Sequence, residues 1–224
     1  MKIKSMVAIT TLGIVAGLAQ ASPLQGLSAD VVNVGDLGTT YRLYVNLDAG
    51  SRLDAVYGNS QYSLYLKPRE GRSFYQNMAG GPTSKEINSA FFTFVPELEW
   101  DSYVSIGSLY QSGDPFGENN LNNIGIDWTS FENGGELLTD NGSWFVTPED
   151  MQGQELNGRV FIAQLTIQGS TGDLYSDLDY MLNLQGKDAD GQTWNALGLT
   201  WIPAPGAMAV LGMAALVGGR RRRA

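Results

Sequence analysis

The sequence contains neither cysteine nor histidine. Ser-His-Asp triads, thiolate nucleophiles and ordinary zinc sites are thereby excluded, because each needs an imidazole or a sulfur. No disulfide holds the fold either, so burial has to supply its stability. Basic residues are scarce, with 14 Lys and Arg against 23 Asp and Glu. Six of the 14 (Lys2, Lys4, Arg220, Arg221, Arg222 and Arg223) lie in the terminal stretches. The other eight face all 23 acids within residues 22–202, which leaves that body a net charge of −15. Such a surface repels phosphate backbones and argues against nucleic acid as a partner. Gly80-Gly81 and Gly134-Gly135 lack the strand-loop-helix setting and the lysine of a phosphate loop. Carboxylate chemistry and oxygen-ligated metals remain.

Helix signals are sparse as well. Ser84 to Ser89 predicts one or two turns, capped by Thr83 or Ser84. Glycine, 28 of 224 residues, exceeds the roughly 7% average and suits frequent tight turns. Period-two alternation dominates instead. Tyr41, Leu43, Val45 and Leu47 alternate with Arg42, Tyr44, Asn46 and Asp48, the pattern of a half-buried strand. Leu53, Ala55 and Tyr57 continue it, and Tyr62, Leu64 and Leu66 form another face. Phe91, Phe92 and Phe94 read as a short buried run, and Tyr103 to Ser108 as a further candidate strand. Trp144-Phe145-Val146 sits between Asn141-Gly142 and Pro148. In Val160 to Gln168 the pattern puts Phe161, Ala163, Leu165 and Ile167 on one face, with Val160 and Ile162 starting the other. Met181 to Gln185 and Gln192 to Ala196 flank a hairpin turn at Asp188-Ala189-Asp190-Gly191. Gln111 to Asn123 reads as an exposed loop. The expectation is an all-β fold, a single antiparallel β-sandwich of jelly-roll-like type.

Three constellations are candidates for chemistry. Glu97, Glu99 and Asp101 would share one face of a strand, as a glycosidase carboxylate pair must. Their Glu-x-Glu-x-Asp order departs from the Glu-x-Asp-x-(x)-Glu of jelly-roll glycosidases, and an outward acidic face explains them equally. Hence no catalytic residue and no enzyme activity are expected. Asp188-Ala189-Asp190-Gly191 lacks calcium ligands where an EF-hand would need them, at Gly186 and Leu197. Asp173, Asp177 and Asp179 are the remaining calcium candidates, for loose binding only, and no cofactor is expected. Among the aromatics, Tyr44 and Tyr65 lie opposite the apolar faces of their strands. They are the candidates for contact with an extracellular polysaccharide.

The two ends speak about destination. Lys2 and Lys4 precede an uncharged stretch from Met6 to Leu18, and Ala19-Gln20-Ala21 has small-x-small spacing. Together they predict a signal peptide over 1–21, cleaved by signal peptidase with Ala19 and Ala21 as the recognised pair. A short N-terminal anchor is the alternative, though thirteen residues are too few to span a bilayer. At the other end Pro203, Ala204 and Pro205 are followed by an uncharged apolar run from Gly206 to Gly219, then by the four arginines. As a helix that run would measure about 21 Å, short of the roughly 30 Å hydrocarbon core. The arginines would stay cytoplasmic and leave the body outside. A buried C-terminal helix with a solvated basic end is the alternative.

This ending resembles the PEP-CTERM sorting signal, also called the ice-binding protein C-terminal motif, which bacterial exosortases recognise. Pro203 and Pro205 match its prolines, Gly206 to Gly219 its hydrophobic segment, and Arg220 to Arg223 its basic end. Ala204 stands where the family most often has Glu. The resemblance covers residues 203–224 and says nothing of ice binding. Two internal stretches, Ser73 to Asn77 and Thr139 to Pro148, also resemble uncharacterised exported bacterial proteins with this tail. What the resemblance implies is an exported protein that passes through an inner-membrane-anchored precursor to the cell surface or matrix. Its partners would be signal peptidase, exosortase and the inner membrane. The expected role of the 22–202 domain is structural or interactive; the alternative is a carbohydrate-binding module or glycan hydrolase.

Overall fold

In the computed structural model, which describes residues 22–200, twelve strands form two antiparallel sheets. The predicted signal peptide, its Ala19 and Ala21, and the tail from Pro203 to Arg223 lie outside the described residues. The first sheet is built on β1 (Leu24–Gly35), β2 (Gly38–Leu47) and β10 (Arg159–Gln168). The short β5 (Ser73–Phe74) and β6 (Tyr103–Val104) also pair with β10. The second sheet is built on β11 (Leu178–Lys187), which pairs with β12 (Thr193–Leu199) in the predicted hairpin. β3 (Arg52–Tyr57) and β4 (Leu64–Pro68) pair with successive stretches of β11. β9 (Ser143–Phe145) and β8 (Leu137–Thr139) pair with β3 and β4 in turn, and β7 (Asn122–Ile124) adds to β9. Two single-turn helices, α1 (Thr129–Glu132) and α2 (Leu174–Asp177), lie between strands.

The chain crosses between the sheets five times, and two of these crossings join the central strands. β2 leads into β3 past Asp48 to Ser51, and β10 leads into β11 through α2. Since β2 pairs with β10 and β3 with β11, each arch ties neighbours in one sheet to neighbours in the other. Tyr41, Leu43, Val45 and Leu47 of β2 point into one core together with Leu53, Val56, Leu64, Leu66, Leu165, Leu182 and Leu184. Each such buried aliphatic contributes roughly 1.5–3 kcal/mol, which is how the layers hold without a disulfide. Trp144 is fully buried between the layers and satisfies its indole through Nε1 donating to the Ser105 carbonyl at 3.0 Å.

Four expectations are corrected. First, β10 carries a bulge between Phe161 and Ala163. It moves Phe161 to the opposite face from Ala163, Leu165 and Ile167, because one extra residue reverses the alternation. Second, a like irregularity at Gln185 and Gly186 accompanies Asp54 in β3, so Leu53 and Val56 face the core while Ala55 and Tyr57 are half-buried. Third, Phe91, Phe92 and Phe94 are not a buried run. A 3-10 turn at Ser89–Phe91 leads through them, with Phe91 48% and Phe94 81% exposed. Fourth, Pro96–Trp100 is a 3-10 helix rather than a strand, with Pro96 in its first turn fixing φ for helical entry.

The segment between β5 and β7 folds over the outer face of the first sheet. Ile87, Leu98, Tyr103 and Phe161 form a second small core there. Gln164 Nε2 donates to the carbonyls of Glu99 (2.8 Å) and Asp101 (3.0 Å), fixing this cover to β10. β10 is therefore buried on both faces, polar Gln164 and Thr166 included. No helix forms at Ser84, where the expected one reduces to a hydrogen-bonded turn closed by Thr83 and Glu86: Glu86 Oε2 accepts from the Thr83 N–H at 3.1 Å. At the loop from Gln111, Leu121 turns inward and is buried while most of its neighbours stay exposed.

Candidate functional site

At the margin of that cover lies a cleft of about 180 Å³. Three segments build it. The first sheet supplies Tyr44, Arg159, Val160 and Phe161; the loop after β6 supplies Gly107, Leu109, Pro115 and Phe116; the turn before β10 supplies Gln154, Leu156 and Asn157. The last segment is a two-residue hairpin. Leu156 and Arg159 pair, and Asn157 (φ 57°) and Gly158 (φ 79°) both adopt positive φ. An Asn-Gly pair meets that requirement of a type I′ turn. The Glu155 carboxylate accepts the Gly158 N–H at 2.6 Å and the Gly50 N–H at 3.1 Å, anchoring the turn to the first arch.

Gln152 ties the cover to the same turn. Its buried Nε2 donates to the Ile106 carbonyl (2.6 Å) and Asn119 Oδ1 (3.2 Å), and its Oε1 accepts from the Asn120 N–H (2.8 Å). Gly107 (φ 70°) is required where it stands, because a Cβ there would meet the Gln152 carbonyl oxygen at 2.0 Å. Within the cleft Arg159 reaches across β2 to Asp30, with Nη1 to Oδ2 at 2.8 Å. Its guanidinium lies 4.0 Å from the centre of the Tyr44 ring, a cation–π contact, and Tyr44 meets Phe161 at 5.8 Å. Burial pushes the Tyr44 phenol up, opposed by the charges of Arg159 and Arg42. The side chains of Gln154 and Asn157 make no hydrogen bond among the described residues.

The other candidates separate. Glu97 is exposed and Glu99 half-buried on the 3-10 helix, whereas Asp101 is fully buried. Asp101 Oδ1 accepts from the N–H groups of Asn77 (2.8 Å) and Ser102 (3.0 Å), and Oδ2 has no hydrogen-bond partner. Burial drives its carboxyl up to about 7, against the pull of the Asn77, Ser102 and Gly81 N–H groups. A Cβ on Gly80 would meet Asp101 Oδ2 at 1.9 Å, so backbone closes over it and no substrate reaches it. The three acids therefore do not converge, as a glycosidase pair would require.

Asp173, Asp177 and Asp179 also go separate ways. Asp173 caps α2, accepting from the Tyr175 N–H at 3.2 Å. Asp179 lies in β11 opposite Lys67. Asp177 is fully buried, and its oxygens are taken by Arg72 Nε (2.7 Å), the Thr171 N–H (2.9 Å), Thr171 Oγ1 (2.9 Å), Tyr41 Oη (3.1 Å) and Ser170 Oγ. Burial alone would raise this carboxyl, but the donors outweigh it and bring it down to about 2. A carboxylate so occupied has no lone pair to offer calcium. Among the described residues no group of three or more His, Cys, Asp or Glu is placed to hold a metal. Asp188 closes the β11–β12 turn, its Oδ1 accepting from the N–H groups of Asp190 (3.0 Å) and Gln192 (2.8 Å).

The two candidate tyrosines stand in different settings. Tyr44 lines the cleft. Tyr65 lies half-buried on the second sheet, between Met181 and Leu138 across the strands. Reading the sequence alone passed over Arg159, Gln154, Asn157 and Phe116. Asn157-Gly158 was a legible hairpin signal; the approach of the other segments carries no local mark. No protein-family model matches the chain, nor does any curated protein or solved structure.

Proposed function

We propose that the chain is an exported, non-enzymatic protein of the cell envelope or extracellular matrix, sorted through residues 203–224 and processed by an exosortase. One observation carries this reading: the order of Pro203-Ala204-Pro205, an uncharged apolar run, and Arg220 to Arg223. On this reading the two prolines, through which a helix does not readily continue, mark the part offered to an enzyme at the membrane surface. The apolar run holds the precursor, and the arginines stop it passing through. The signal peptide over 1–21, with Ala19 and Ala21 at its cleavage site, belongs to the same route.

The body is consistent with a structural or interaction role. Its two-sheet architecture, strongly acidic charge and internally committed Asp177 and Asp101 suit a stable, soluble outer domain. A jelly-roll-like topology is part of the same reading, supported by a chain that passes between the two sheets five times. No helix among the described residues is long and apolar enough to cross a membrane. Substitution in the tail tests the reading. Replacing all four arginines with Ala lets the tail slip through the membrane, and replacing both prolines leaves anchored, uncut precursor. Identical fractionation of both variants and wild type would contradict it.

A further inference from the structure

We propose that the cleft beside Tyr44 binds one neutral pyranose ring, the terminal unit of a saccharide. The inference stands on the body and does not depend on how the tail is processed. At about 180 Å³ the cleft falls below the roughly 300–1,000 Å³ of sites for drug-sized ligands, leaving room for one ring and not for a nucleotide cofactor. Its lining combines apolar side chains with amides. Pro115 and Phe116 present an apolar wall from the cover loop, fit for the C–H face of a sugar. The hairpin contributes Gln154 and Asn157 to the same lining, with amides that have no partner among the described residues, each amide both donor and acceptor. A pyranose likewise combines a C–H face with a rim of hydroxyls.

Charge selects among sugars. Arg159 is the cation of the cleft, and Asp30 pairs with it at 2.8 Å while Tyr44 covers one face of its guanidinium. Arg159 can therefore donate hydrogen bonds without offering a net positive site. With a body of net −15 around it, an anionic ligand meets repulsion and a neutral ring does not. Rigidity favours binding too. Gln152 fixes the cover loop and Glu155 fixes the hairpin, so both walls stand in place before a ligand arrives.

The test is saturation-transfer NMR on the full chain with the methyl glycosides of glucose, galactose, mannose and N-acetylglucosamine, and with glucuronate as the charged comparison. At least one neutral glycoside is expected to bind in the millimolar range, around −4 kcal/mol, and more tightly than glucuronate. The double variant Gln154→Ala, Asn157→Gly should weaken that binding about tenfold. Glycine accepts the positive φ of position 157, so an unchanged melting temperature separates lost contacts from lost fold. The proposal is overturned if no neutral glycoside binds, if glucuronate binds more tightly, or if the double variant binds as well as wild type.

Discussion

Asp177 and Asp101 are both buried carboxyls whose surroundings push them in opposite directions. Asp177 is held near 2 by its donors. A depressed folded pKa contributes stability that is present above the unfolded value of about 3.9 and is lost as pH falls toward about 2. Asp177→Ala would strand Arg72, Thr171 and Tyr41, and should cost about 3–5 kcal/mol in denaturant unfolding. A loss below about 1 kcal/mol would show that water replaces the carboxylate. Asp101 is raised to about 7. Between about 4 and about 7 the folded state keeps a proton that the unfolded state has released, so stability falls as pH rises through that window. Urea titrations across it should show that decline in wild type and a flatter profile in Asp101→Asn. A flat wild-type profile would contradict the assignment. Glu97 and Glu99 are different, since neither is fully buried or ion-paired. Glu97→Gln with Glu99→Gln should change stability by no more than about 0.5 kcal/mol. Polysaccharide cleavage by wild type that vanished in this pair would overturn the non-enzymatic reading.

Among the elements, what was legible follows from how regular each strand is. From Tyr41 to Leu47 β2 keeps strict alternation against two neighbours, and its core residues there could be read directly from the sequence. β1 was missed altogether: register irregularities at Leu24 to Gly26 and at Val31 to Asn33 break its period, and Val31 and Val34 end up exposed. The bulge in β10 misplaced Phe161 for the same reason, since a bulge leaves no mark on residue type. Phe91 and Phe94 misled because hydrophobicity alone does not say which residue finds a covering partner. The cleft was half legible. Tyr44 stood out on its strand, but its neighbours arrive from positions about 60 and 110 residues away, and local pattern holds no information on such approaches. Gln152 is the test at this scale. Gln152→Ala leaves the Ile106 carbonyl and Asn120 N–H without their partner and should cost about 1–3 kcal/mol. Limited proteolysis should then cut between Gly107 and Asn120 before any strand of either sheet. Cleavage elsewhere first would mean that the cover is held by something other than Gln152.

The whole molecule joins an acidic two-sheet body to two terminal stretches that carry almost half of its basic residues. That division of charge makes sense if the ends and the body occupy different places, the arginines held at the cytoplasmic side and the body beyond it. The alternative is a simple tail anchor that is never cut, which would leave the same body permanently at the membrane. Mass spectrometry of the mature protein from an exosortase-bearing cell separates the two most directly. The account predicts a mature chain that starts near Ser22 and lacks peptides spanning Gly206 to Arg220. Recovery of those peptides from the mature form at full abundance would contradict it.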